Sequence, residues 1–170
     1  DVVPAELLDE EYCIEFAKRS GSNADWLYDM GVEFGVASPN PGGGQYGQYS
    51  GRVGWSIIKE LGAYLDEHGC DYRLNTKATA LITENSKICG IKAEYEGVEY
   101  EIKADAVILA TGGYIANKEL VARFAPGYEN YSYDVSVGCD GSGLLMALEA
   151  GAATKGISTL ACHPFAGNYN

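Results

Sequence analysis

The run Ala106-Val107-Ile108-Leu109-Ala110, broken off at once by Thr111-Gly112-Gly113, constrains this chain more than any other stretch. Consecutive apolar residues without alternation read as a strand covered on both faces, which is how parallel sheets are built. Strands of that kind carry their ligands at the carboxyl end. Two glycines there let a ligand approach the backbone with no Cβ in the way. A plain strand-to-helix turn explains the same residues without any ligand, so the motif has to be weighed with its neighbours.

The residues before it have a different period. Lys77 to Thr83 and Ile88 to Tyr95 alternate as strands, joined by the turn Glu84-Asn85-Ser86-Lys87. Val98 to Ala104 is a further strand reached through Glu96-Gly97, a pair that puts glycine where a positive φ is wanted. Asp71 to Asn75 reads as another. The expectation is a small antiparallel sheet of three or four strands, lying apart from the buried run that follows.

Helical signals flank this sheet on both sides. Pro4 to Arg19 is amphipathic, with proline at an early helical position, acids near the start and Lys18-Arg19 near the end. Ser22 then caps a second short helix, Asn23 to Met30, ended by Gly31. Val32-Glu33-Phe34 follows as a short strand-like segment. Val53 to His68 forms a helix with Ile57, Ile58, Leu61, Tyr64 and Leu65 on one face and Gly69 as its stop. Asn117 to Phe124 and Gly141 to Ala150 are two more, stopped by Pro126 and Gly151, with a tyrosine-rich loop (Tyr128, Tyr131, Tyr133) between them. Residues 35–52 are a long Gly-, Pro- and Ser-rich loop, of the kind that is functional or mobile inside a domain. The expected fold class is therefore α+β: helices around a small antiparallel sheet, plus one buried parallel-type strand.

Charge narrows the partners. Lys and Arg number 12 against 24 Asp and Glu, a net charge of −12. The bases are scattered, and phosphate backbones need them clustered, so nucleic acid is not an expected partner. No apolar run approaches the roughly 20 residues that span a bilayer. The five cysteines (Cys13, Cys70, Cys89, Cys139, Cys162) are odd in number and show no CxxC spacing. Neither a disulfide framework nor a zinc site is supported, and scattered, mostly buried thiols are expected. The chain opens on Asp1-Val2-Val3 without an initiator methionine, and we expect it to be an internal piece of something longer.

Three more motifs bear on chemistry. Gly42-Gly43-Gly44-Gln45-Tyr46-Gly47 formally matches GxGxxG, but Ala37-Ser38-Pro39-Asn40-Pro41 before it cannot be a central strand. A flexible loop near a ligand describes it better than a phosphate cradle. In Cys139-Asp140-Gly141-Ser142-Gly143-Leu144, Asp140 stands where an N-cap belongs, and capping alone accounts for it. With a cofactor present, Gly141 and Gly143 would expose helix-start amides as an anion- or ribityl-binding surface. His163, in Ala161-Cys162-His163-Pro164-Phe165, has no carboxylate near it in sequence, and an extended segment explains it equally well. His68, at a helix end, is read as structural.

Taken in order, these segments resemble one stretch of the fumarate reductase/succinate dehydrogenase flavoprotein family. The resemblance runs through Trp26 to Phe34, Leu74-Asn75-Thr76-Lys77-Ala78-Thr79, Ala106 to Tyr114, Asn117-Lys118-Glu119, Asp140-Gly141 and His163-Pro164. It covers nearly the whole chain, and its specificity lies in order and spacing. The family implies a two-domain flavoprotein with FAD, one domain binding the cofactor and a capping domain closing over flavin and substrate. On that basis residues 1–160 are expected to be the middle part of the FAD-binding domain, and residues 161–170 the start of the capping domain. Ala78 resembles the strand position whose backbone contacts the adenine end of FAD. Thr111 and Gly112 resemble the strand-end turn beside the cofactor, and Asp140 the flavin-contacting aspartate. His163 resembles the histidine that holds a substrate carboxylate.

Departures from the family pattern are equally plain. The βαβ unit with the true dinucleotide fingerprint is absent from these residues, as are the Thr-Glu pair expected after His163, the arginine proton donor and the C-terminal flavin-binding segment. Phe165 stands where threonine is common, and Cys139 where a threonine or small residue is usual. What the resemblance implies is an FAD-dependent oxidoreductase that transfers hydride between flavin and an activated C=C bond. Its partners would be a small unsaturated acid or enone substrate and a haem or iron–sulfur electron donor. No catalytic residue is assigned with certainty within these residues. This piece alone is expected to hold no stoichiometric FAD and to be inactive, and an orphaned sheet edge could make it dimerise. Two alternatives stay open: a non-catalytic α+β ligand-binding or assembly module, and a flavoprotein acting as a ketosteroid dehydrogenase or amino-acid oxidase.

Overall fold

The computed structural model describes residues 8–33, 53–131 and 136–160. The chain divides into two compact units, one of residues 8–72 and one holding the rest.

The first unit is helical. Helix α1 is a single element over Glu10–Asp29, where the sequence predicts two helices broken at Gly21-Ser22. Gly21 and Ser22 do not stop it because each serine hydroxyl turns back onto its own helix. Ser20 Oγ donates to the Ala17 carbonyl at 2.9 Å and Ser22 Oγ to the Arg19 carbonyl at 3.0 Å. Its true N-cap is Asp9, whose carboxylate accepts from the Tyr12 amide at 3.0 Å. Gly31, at φ +94°, ends the helix as expected. Val32 and Glu33 are not strand, and Phe34 and the loop at 35–52, with its Gly42 to Gly47 motif, lie outside the described residues.

Helix α2 runs over Val53–Glu67, stopped by Gly69 at φ +64°. Of its expected apolar face, Ile57, Leu61 and Tyr64 are half-buried, while Ile58 and Leu65 are exposed. His68 is structural, as expected. Its ring stacks on Tyr64 with centroids 3.9 Å apart, and Nδ1–H donates to the Tyr64 carbonyl at 2.8 Å.

The second unit carries the sheet. Strands β1 (Lys77–Glu84), β2 (Lys87–Tyr95) and β3 (Val98–Lys103) form an antiparallel meander in that order. Both hairpins turn on two residues with positive φ, Asn85 (50°) with Ser86 (62°) and Glu96 (50°) with Gly97 (78°). That geometry matches the right-handed strand twist. Asp71 to Asn75 does not join as a fourth strand, and Asn75 at φ 56° turns the chain into β1 instead. Register shifts interrupt the β1–β2 ladder between Ala78 and Ala80 and between Ile82 and Thr83.

After the sheet come α3 (Lys118–Phe124) and α4 (Ser142–Glu149). The core of this unit is Tyr114, Leu120 and Val121, with Phe124, Leu144 and Leu145 packed on it. Tyr114 lies edge-on to Phe124, and its hydroxyl donates to the Ile157 carbonyl. The α+β class is as expected. The buried parallel-type strand is not: residues 106–110 are not assigned as strand, and Ile108 is 92% exposed. The run has the composition of a doubly covered strand, yet no strand among the described residues pairs with it. The thiols also differ from expectation. Cys13 and Cys70 are exposed and Cys89 and Cys139 half-buried, the first because α1 has no buried residue among those described.

Candidate functional site

The Thr-Gly-Gly turn and the start of α4 meet. Gly112 adopts φ +73°, a left-handed turn that suits glycine. Three hydrogen bonds then strap residues 139–141 onto residues 113–117. The Ala116 amide donates to the Cys139 carbonyl at 3.0 Å, and the Gly141 amide to the Gly113 carbonyl at 3.1 Å. Asn117 Nδ2 donates to the Asp140 carbonyl at 3.2 Å.

Close approach is built into the glycines as well. A Cβ on Gly143 would sit 1.9 Å from Thr111 Oγ1. One on Gly141, itself at φ +81°, would sit 2.3 Å from Leu120 Cδ1. One on Gly112 would come within 3.2 Å of Cys139 Sγ. Cys139 thus touches the turn. By contrast, nothing lies within 4 Å of a Cβ built on Gly113, so the backbone there is open to a ligand.

Asp140 caps α4 from one position earlier than the sequence indicates. The N-cap is Gly141, in the left-handed conformation, while the Asp140 carboxylate accepts from the Ser142 amide at 2.9 Å. That bond is the main reason its carboxyl is held below the usual aspartate range, and the positive charge of Lys77 contributes further. Lys77 opens β1, which packs beside α4. Half-buried Ala78, the next residue, pairs with Ala93 in the hairpin. Ala78, Thr111, Gly112 and Asp140 all belong to the elements gathered around the start of α4. His163 lies outside the described residues.

The surface so formed has a definite chemistry. Thr111, Gly112 and Gly113 are exposed residues, and Asp140 is an ionised acceptor. A carboxylate accepts from hydroxyls and amides and repels phosphate. Because it already satisfies the first amide of α4, this helix start is a poor phosphate cradle and a good neighbour for hydroxyl donors.

The family described as FAD binding domain matches residues 3–167. The chain belongs to that family. FAD is the cofactor it indicates. Fumarate reductase (cytochrome) from Shewanella frigidimarina is 32% identical over 161 residues, covering 87% of this chain and 27% of the relative. The chain therefore spans about a quarter of the length of the curated relatives that it matches first. The open conformation of a flavocytochrome c3 fumarate reductase superposes with a TM-score of 0.77 at 28% identity, covering 83% of this chain and 26% of that one. The 3-ketosteroid-Δ4-(5α)-dehydrogenase from Rhodococcus jostii RHA1 shares the fold at a TM-score of 0.77, with 22% identity, covering 89% and 39% of the two chains.

FAD passes the chemical test this surface sets. Its ribityl hydroxyls are donors that a carboxylate such as Asp140 accepts, and its rings can approach a glycine backbone closely. Its phosphates need a cradle that the start of α4 does not provide. Two residues of the arrangement escape sequence reading. Asn117 is read only as the start of a helix and as part of the family resemblance. Gly143 looks like an amide donor, whereas its lack of a Cβ is what lets Thr111 approach.

Proposed function

We propose that this chain forms the flavin-side part of an FAD-dependent, fumarate reductase-like oxidoreductase, acting on an activated C=C bond of a small unsaturated acid or enone. The observation that carries this reading is the strapped junction of Thr111-Gly112-Gly113 with Cys139-Asp140-Gly141. It combines open backbone with one ionised acceptor at the start of a helix. Bound FAD would supply hydride exchange at its N5 position.

Each protein group has a distinct task in this reading. Asp140 accepts a hydroxyl hydrogen bond from the cofactor and keeps its carboxylate ionised through the Ser142 amide. Thr111 and Gly112 present main chain along the flavin, and the Ala78 backbone meets the adenine end. His163 donates a hydrogen bond to the substrate's carboxylate or carbonyl, drawing electron density from the carbon that takes the hydride. Residues 1–160 belong to the cofactor-binding domain and residues 161–170 open the substrate domain. Electrons would reach the flavin from a haem, by analogy with the cytochrome named for the Shewanella relative.

The test is the His163→Ala variant of the whole protein, assayed on its unsaturated substrate. Loss of a hydrogen bond to a charged group, about 1.5–3 kcal/mol, lowers kcat/KM roughly 10- to 100-fold. Unchanged kinetics on the true substrate would overturn His163's role and the reading of the pocket with it.

A further inference from the structure

We infer that Asn117 is a positioning residue for the flavin-facing carboxylate of Asp140, an inference that rests on reading Asp140 as a cofactor contact. Its side chain works in two directions. Oδ1 accepts from the Glu119 and Leu120 amides at 3.1 and 3.2 Å, capping α3. Nδ2 reaches the other way and donates to the Asp140 carbonyl at 3.2 Å.

The carbonyl it holds belongs to the peptide group joining Asp140 to Gly141. The amide of that same group donates to the Gly113 carbonyl at 3.1 Å. One peptide plane is thus gripped at both ends, by α3 through Asn117 and by the Thr-Gly-Gly turn through Gly113. Gly141 sits at φ +81° and could swing without steric cost to itself. The preceding peptide plane is held as well, by the Ala116 amide on the Cys139 carbonyl at 3.0 Å, and with both planes held the Asp140 Cα and the direction in which its side chain leaves the backbone are fixed. Asparagine supplies an acceptor for the α3 amides and a donor for this carbonyl on two separate atoms. Aspartate and serine cap helices about as well as asparagine. Aspartate lacks the donor, and serine carries donor and acceptor on one oxygen placed for the cap, without the separate Nδ2 that reaches the Asp140 carbonyl.

The experiment measures FAD dissociation constants and apo-protein thermal midpoints for the whole protein carrying N117D, N117S, N117A, D140A, or D140A combined with each of the first two. The visible spectrum of the flavin that remains bound is recorded alongside. The expected result is that N117D and N117S keep the wild-type thermal midpoint, because α3 stays capped, yet bind FAD about 5- to 10-fold more weakly. That corresponds to one hydrogen bond of about 1–1.4 kcal/mol. Their bound-flavin spectrum moves toward that of D140A, and neither substitution weakens binding further once D140A is present.

If D140A binds FAD as tightly as wild type, the cofactor-contact reading of Asp140 falls and the inference with it. If D140A weakens binding while N117D and N117S do not, the inference alone falls. It also falls alone if those two weaken binding equally with and without Asp140. If both lower the thermal midpoint as far as N117A does, Asn117 is a structural cap and the positioning role is overturned.

Discussion

Gly143 shows how little room the junction leaves. Its Cβ would overlap Thr111 Oγ1 at 1.9 Å, and Thr111 Cβ and Cγ2 lie within 2.9 Å of the same point, so rotating the threonine gives no relief. Gly143→Ala is expected to destabilise the protein by about 1–3 kcal/mol through overpacking, read as a shift in the chemical-denaturation midpoint. Asp140 adds a pH dependence with a fixed sign. Its folded carboxyl titrates below the usual aspartate value because of the Ser142 amide first and Lys77 later. The stabilisation is therefore fully present above the unfolded value of about 4 and is lost as pH falls through the lower folded value. Wild type should exceed D140N in unfolding free energy by a constant margin above about pH 5, with the margin closing below about pH 4. A margin that widens on acidification would contradict this. Asp140 is legible in the sequence as a capping acid beside glycines. Its dependence on Asn117 is not, since an N-cap asparagine looks the same whether or not its amide group has a second partner.

The elements differ in how much of their shape is local. The two hairpins are readable because their turns are set by adjacent residues, whereas Asp71 to Asn75, just before β1, imitates a strand without forming one. Ser86 occupies φ 62°, where a side chain costs on the order of 1–2 kcal/mol. Ser86→Gly creates Asn-Gly at the tip of β1–β2, and we expect a gain of about 0.5–1 kcal/mol in urea unfolding after the larger unfolded-state entropy of glycine is subtracted. No gain would mean that the hairpin tip does not limit stability. Helix α1 reads as two because Gly21-Ser22 looks like a break and cap. The serine hydroxyls bond backward within the helix instead, a choice that depends on the turn already being formed. Residues 106–110 have the composition of a doubly covered strand, and no strand among the described residues pairs with them. Periodicity reports what a segment is suited to cover, and the cover has to come from elsewhere in a fold.

At the scale of the whole molecule, the α+β class and the FAD family are legible because several modest motifs occur in one order, although no single one decides the matter. Thr111-Gly112-Gly113 and Asp140-Gly141 are far apart in sequence, yet three hydrogen bonds join their segments. That contact is long-range, so only the folded chain displays it. The same limit explains why Gly143 and Thr111 cannot be paired by reading alone. Amide hydrogen exchange on the whole protein, with and without FAD, reads the junction itself. We predict that FAD slows exchange at residues 111–113 and 138–143 at least tenfold while leaving the hairpin tips at Asn85-Ser86 and Glu96-Gly97 unchanged. Protection confined to other segments, with these two stretches exchanging as in the apo protein, would contradict a flavin seated at this junction.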